Sequence, residues 1–444
     1  MTVSRTLKHQ MDRRRRRRKW RKIGAASAVS LLLATVCLVS LYTLYTFGLI
    51  PDQESKGGGL SPELPGETDT PAGLQLPPEA NDPETAEPSE QTENPEEEPI
   101  HSREPADRQR EEILSDAASA DESEARMEMA FVGDVLLGST VETILRQHGF
   151  HYPYTEVSER LQRADLAVAN FESPVTKRGK AQEYQLYVYR TSPEALPAFA
   201  EAGFDLVNLA NNHVLDYGEE GLFDTLDYLD EAGIRRVGAG RDADEAYAPA
   251  MVEINGIKAA FLGFNRFVPD ASWKAGKNHP GVAETYSDRR PLEEIRKAKD
   301  EADLVIVLVH WGVERSDKPE NYQIQLAHRY IDAGADLVVG SHPHVLQGLE
   351  QYKGKWIAYS LGNFIFTTNH VASTRETVIL EASCNKTGDC GLKVTPVFTE
   401  YAKPEMMTGD KAAHLLARLQ DLSFSVSIAG DGTVRPEQAA TASP

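Results

Sequence analysis

Cysteine is scarce. The 444 residues contain three, Cys37, Cys384 and Cys390, and no second closely spaced pair accompanies the last two. That pattern excludes a zinc ribbon and any thiolate metal centre. Basic residues are outnumbered as well, with 47 Lys and Arg against 68 Asp and Glu and a formal net charge of −21. Residues 127–444 alone carry −14, which excludes an obvious nucleic-acid binder. No internal repeat of fixed period is present, so a solenoid or propeller is not indicated.

Charge is missing altogether from residues 23–50, a stretch rich in Leu, Val and Ala. As a helix it is long enough to span the hydrocarbon core of a bilayer. Ahead of it, residues 1–22 carry eleven Lys and Arg against Asp12 alone, including the run Arg13 to Arg18. Behind it, residues 51–126 carry 22 acids and five bases, with Pro and Glu repeated. The asymmetry satisfies the positive-inside rule. We therefore expect a basic cytoplasmic tail (1–22), a single-pass transmembrane anchor (23–50) and a disordered acidic linker (51–126). An extracytoplasmic folded domain (127–430) and a disordered tail (431–444) follow. Two other readings of the N-terminus are a nucleic-acid-binding tail and a cleaved signal peptide. The abutting apolar span argues against the first, and the length of that span, with no A-x-A pattern after it, against the second.

From Met127 onward, β-branched runs alternate with amphipathic stretches. Strands are expected at 127–132, 166–170, 206–209, 259–263, 304–309, 337–339 and 356–359, and helices at 193–202, 221–232, 292–302 and 322–333. Gly203, Gly233 and Gly334 stand just past three of these helices, where a left-handed cap is needed. Asn255-Gly256 signals a hairpin, so the α/β sheet is mixed rather than purely parallel. Segments 377–381 and 394–399 read as a late antiparallel pair. Outside the cytoplasm, Cys384 and Cys390 are compatible with a disulfide closing its turn, or with two free thiols.

The chemistry lies where polar residues fall relative to the strands. Asp134 ends the first run, Asn170 and Glu172 the second, Asn211, Asn212 and His213 the third, His310 a later one, and His342 and His344 the next. Taken singly, Asp134 reads as a helix cap and His310 as a hydrogen-bonded core residue, and Pro343 restrains His342 to an extended backbone. Together, five strand ends delivering metal-type ligands converge on one crevice, because ligands of open α/β sheets bind at the carboxyl ends of strands. Mixed N and O donors without thiolate suit Mn, Fe, Zn or Co. Six or seven donors are too many for one tetrahedral ion, which indicates two divalent metal ions. Such a pair binds a phosphate ester and stabilises its attacking and leaving oxygens, while a non-ligand histidine protonates the leaving group.

In order, Gly133-Asp134, Asn170-Phe-Glu172, Asn211-Asn-His-Val-Leu-Asp216, Val309-His-Trp-Gly312, Gly340-Ser-His-Pro-His344 and Tyr359-Ser-Leu-Gly-Asn-Phe364 resemble the CapA family. Its members are capsule-synthesis proteins associated with poly-γ-glutamate, and the family looks like a branch of the calcineurin-like metallophosphoesterases. The resemblance implies that α/β-sandwich fold. It also implies Asp134, bridging Glu172, Asn212, His310, His342 and His344 as metal ligands, with His342 and His344 on different ions, and His213 as general acid. Asn170 and Asn211 would orient ligands or contact substrate. The sequence departs from the phosphatase pattern at Leu136, where a histidine is expected, and at Val214, where an acid would orient His213 unless Asp216 supplies it. Trp311 and Trp273 are either pocket or core residues, and Asn363 is either a ligand contact or a turn residue.

Two functions follow as expectations. One is a membrane-anchored metal-dependent hydrolase of a phosphoester or an amide-linked polymer. The other is a non-catalytic component of an envelope assembly that meets other capsule proteins and an anionic polymer. A polyanion would need a basic cluster, and Arg289, Arg290, Arg296, Lys297 and Lys299 are one, unless they simply form a solvated helix face.

Overall fold

The computed structural model describes residues 125–183, 185–366 and 371–437. The expected tail, span and nearly all of the linker lie outside these residues. Among the described residues no helix is long and apolar enough to cross a membrane.

In chain order the first strands are β1 (Arg126–Val135), β2 (Leu166–Phe171), β3 (Phe204–Asn208), β4 (Arg235–Val237), β5 (Ala239–Gly240), β6 (Ala250–Ile254) and β7 (Ile257–Asn265). Then come β8 (Gly281–Val282), β9 (Leu304–His310), β10 (Leu337–Ser341), β11 (Leu346–Tyr352), β12 (Lys355–Leu361) and β13 (Asn363–Ile365). The last are β14 (Glu376–Asn385), β15 (Cys390–Glu400), β16 (Lys403–Met406), β17 (Val426–Ile428) and β18 (Thr433–Pro436). One sheet runs β17-β18-β15-β14-β1-β2-β3-β4, with β13 against β1 and β16 against β15. A second runs β11-β12-β10-β9-β7-β6, and β5 and β8 make a small ribbon. Both large sheets are mixed, as the hairpin at Asn255-Gly256 required: both residues have positive φ, 54° and 73°.

Alternation along the strands explains the layering. Met127, Met129 and Phe131 of β1 enter the core between the sheets, where they meet Leu304, Ile306 and Leu308 of β9. The residues between them turn outward. Ala130 and Val132 pack under the helices outside the first sheet, and Val305, Val307 and Val309 under those outside the second. A strand apolar on both faces belongs inside such a sandwich.

The helices α1 (Thr140–His148), α2 (Ser158–Leu161), α3 (Leu196–Glu201), α4 (Gly218–Glu231), α5 (Ala243–Tyr247), α6 (Arg289–Glu301), α7 (Asn321–Ala333) and α8 (Gly409–Leu422) fill the connections. Gly203, Gly233 and Gly334 follow α3, α4 and α7 with φ of 106°, 72° and 121°, the left-handed caps expected of them.

Two expectations about the C-terminal part change. Cys384 and Cys390 face each other across β14 and β15 and are joined by a disulfide. Residues 433–436 are not part of a frayed tail, because β18 pairs with β15 and β17 and buries Val434 in the core between the sheets. Residues 438–444 lie outside the described residues.

The parallel strands β1, β2, β3 and β4, and β7, β9, β10 and β12, present their carboxyl ends as the places where the chain leaves each sheet. Those ends carry the polar residues singled out in the sequence.

Candidate metal centre

Asp134 lies near the end of β1, where the backbone of Gly362 approaches so closely that a Cβ on Gly133 would stand 1.8 Å from its carbonyl oxygen. Only glycine fits there, and the Asp134 N–H donates to that carbonyl at 2.8 Å. Glu172 follows β2 immediately. Asp134, Glu172 and His310 can bring one ligand atom each within 4.8 Å of the others, and so can Glu172, His342 and His344. Glu172 belongs to both groups. His310 Nε2 lies 2.7 Å from Asn212 Oδ1, which brings the expected asparagine to the same place. His344 Nδ1 stands 3.0 Å from Asp134 Oδ2, and the His310 and His342 rings are 4.6 Å apart.

These side chains are buried, and their hydrogen bonding is incomplete in a way that fits a cation. Asp134 Oδ2, Glu172 Oε1 and His342 Nδ1 are each buried without a hydrogen-bond partner. An unpartnered buried acceptor is costly, and several converging on one point are what a metal ion would satisfy. Burial holds the Glu172 carboxyl well above the ordinary carboxylate range, the Asp134 charge adding to the effect and His344 opposing it. Burial likewise drives His310 and His342 well below the usual imidazole range, which favours the neutral, ligating form. For His344 burial acts in the same direction, but the carboxylates of Glu172 and Asp134 outweigh it and hold the ring up at about 10.

The backbone is strained at the same spot. Pro343 was expected to keep His342 extended; instead His342 has φ 97° and His344 φ 57°. Non-glycine residues in this region cost on the order of 1–3 kcal/mol each and persist only when the surroundings fix them. Here the turn aims both imidazoles into the cluster.

The supporting residues divide by what they touch. Asn170 Nδ2 donates to Asp134 Oδ1 at 2.8 Å and lies 3.4 Å from Glu172 Oε2, while Asn208 Nδ2 donates to Asn170 Oδ1 at 3.1 Å. Asn363 Oδ1 is 2.9 Å from His344 Nδ1, and its Nδ2 donates to the Thr374 carbonyl, so this residue steadies a ligand. Asn211 shapes the turn before His213 through Oδ1, which accepts the N–H groups of His213 and Val214. The acid absent at Val214 is supplied by Asp216, whose Oδ2 lies 2.8 Å from His213 Nδ1 and also accepts the Tyr189 N–H. Burial raises the Asp216 carboxyl above its ordinary value, against the pull of His213. Trp311 and Trp273 are core residues: Trp311 is fully buried with its Nε1 donating to the Tyr359 carbonyl, and Trp273 packs beneath the first sheet.

Four residues near the cluster were not singled out from sequence. Asn208 extends the chain of amides. The Tyr189 ring lies 4.5 Å from His213, the half-exposed Phe267 stacks on His342 at 4.7 Å, and the exposed Glu314 is close enough to push the Glu172 and His344 groups upward. Glu314 stands four positions beyond His310, and Asn208 lies within an apolar run, which are the only sequence signals either offered.

A two-sheet α/β sandwich with carboxylates, imidazoles and a carboxamide gathered at its strand ends defines a protein of metal-centre type. Within that class, residues 128–368 match the family model described as "Bacterial capsule synthesis protein PGA_cap", and the chain belongs to that family. It is 37% identical over 291 residues to "Capsule biosynthesis protein CapA" of Bacillus anthracis, covering 64% of this chain and 70% of the relative. It is 36% identical over 284 residues to "PGA biosynthesis protein CapA" of Bacillus subtilis, covering 63% and 74%. Among solved structures it overlays on the NAD nucleotidase of Haemophilus influenzae with a TM-score of 0.36 and 13% identity, covering 67% of this chain and 63% of that one. The family assignment rests on the sequence relatives and not on that overlay.

Proposed function

We propose that this chain is a divalent-metal-dependent hydrolase of the phosphoesterase type that works in capsule assembly, anchored by residues 23–50 with its domain outside the cytoplasm. The observation that carries the reading is the convergence of Asp134, Glu172, Asn212, His310, His342 and His344, with unpartnered buried acceptors among them, beside a His213–Asp216 pair. Glu172 is placed to bridge two ions, Asp134 and His344 to hold one, and His310, His342 and Asn212 the other. Ions held there would polarise a phosphoryl or acyl oxygen and activate water. Asn170 and Asn363 keep the ligands in position. Asp216 occupies His213 Nδ1, which leaves Nε2 to pass a proton to a leaving oxygen. Leu136, fully buried where the phosphatase pattern has a histidine, leaves the Asp134 side one imidazole short.

The test is bound metal per chain in the purified full-length protein, measured together with hydrolysis of phosphomonoester, phosphodiester and poly-γ-glutamate substrates. Close to two ions and turnover of at least one substrate are expected. Absence of stoichiometric metal sinks the reading, and metal without turnover of any of the three favours the non-catalytic assembly component. Topology is tested separately. Protease applied to intact cells is expected to destroy the domain and spare an N-terminal epitope, and protection of both ends would refute the anchored arrangement.

A further inference from the structure

The domain is net negative, yet two arginines beside the cluster are left without an acidic partner. Arg266 follows the last residue of β7, and its backbone N–H donates to the carbonyl of His310 at 2.8 Å. Its guanidinium lies over the rings of Tyr286 and Tyr322, at 4.5 and 5.3 Å, and donates once, to the Thr285 carbonyl. The next residue, Phe267, stacks on His342. On the His213 side, Arg190 follows Tyr189 and lies over the Tyr217 ring at 4.6 Å. Among the described residues neither arginine forms an ion pair. The basic cluster noted in the sequence is different: Arg290 pairs with Asp244, Lys297 with Glu294 and Lys299 with Asp336, so most of its charge is already balanced.

We propose that Arg266 and Arg190 are binding residues that hold carboxylates of a polyglutamyl chain on either side of the metal-ligand cluster. An unpaired guanidinium offers a planar fork of donors that matches a carboxylate, and stacking on tyrosine fixes the fork before the ligand arrives. Two such groups, carried on segments from different sheets, let one polymer be gripped at two repeats. They also offset the exposed carboxylate of Glu314 on the same rim. The inference rests on the proposed placement of this site in capsule assembly, and names the groups that would select its polymer.

The test is calorimetric titration of the full-length chain with a γ-linked glutamate hexamer and with the neutral glutamine hexamer of the same length. Arg266→Ala and Arg266→Gln are each expected to weaken hexaglutamate binding about tenfold, the value of one charge-assisted hydrogen bond to a carboxylate. The double variant with Arg190→Ala should weaken it further, and Arg296→Ala on the exposed face of α6 should leave it unchanged. Arg266→Gln keeps a polar side chain between the tyrosines, so a folding defect in Arg266→Ala does not decide the result. Wild-type affinity in Arg266→Gln, equal binding of the neutral hexamer, or no binding of hexaglutamate by the wild-type chain overturns the proposal. Metal content measured on the same samples separates the two readings: lost metal with intact hexaglutamate binding counts against the hydrolase, and the reverse against the arginine site alone.

Discussion

Glu172→Gln is expected to abolish stoichiometric metal binding and to lower hydrolysis about a thousandfold or more, the scale of the several kcal/mol that metal polarisation supplies. The substitution keeps the size of the side chain and removes its charge. Glu172 is the carboxylate common to both groups of converging ligands, with one buried oxygen that no protein donor reaches. An amide placed there would offer a single neutral oxygen and an N–H₂ directed at other ligands. The decisive measurement is the thermal midpoint with and without added metal. In the wild-type chain, an ion at a hundredfold excess over its Kd stabilises the folded state by about 2.7 kcal/mol, whereas the variant should show no metal-dependent rise. A variant that keeps both ions and its rise in midpoint would show that Glu172 is a buried acid and not a bridge.

The site was legible where it depends on strand ends and illegible where it depends on loops. Asp134, Glu172, Asn212, His310, His342 and His344 could be grouped from sequence because each directly follows, or closes, an apolar run that had to be a strand, and parallel strands bring those ends together. Arg266, Phe267 and Glu314 lie in connections whose course is set by packing against Tyr286, Tyr322 and Pro343, and no local pattern encodes that. The conformation of His342 was misjudged for a related reason. Pro343 limits the residue before it, but the cluster selects a positive φ that the dipeptide alone would disfavour. In the fold, strands buried on both faces were readable from composition. The short strand β18 was not, because one buried residue, Val434, decides its place. The lone pair of cysteines left oxidation open until β14 and β15 were seen to set Cys384 opposite Cys390.

His213→Ala should leave metal content intact and reduce turnover roughly a hundredfold to ten-thousandfold, the usual contribution of a positioned general acid. His213 ligates nothing in the arrangement described here: its Nδ1 is engaged by Asp216, and its ring packs against Tyr189. Asp216→Asn separates two roles for that carboxylate. If Asp216 only fixes the ring, the amide oxygen still accepts from His213 and from the Tyr189 N–H, and turnover falls little. If its charge also stabilises the protonated imidazole from which the proton is delivered, turnover drops toward the His213→Ala level while folding and metal content stay unchanged. The second outcome is expected, since burial of the pair gives the carboxylate charge more effect than it would have in water. Leaving-group dependence supplies the check. Substrates with good leaving groups need little protonation, so both variants should approach wild-type rates on a nitrophenyl ester and fall furthest behind on an alkyl ester. Equal losses on the two esters would remove His213 from the proton-transfer role and return it to the structure of the turn.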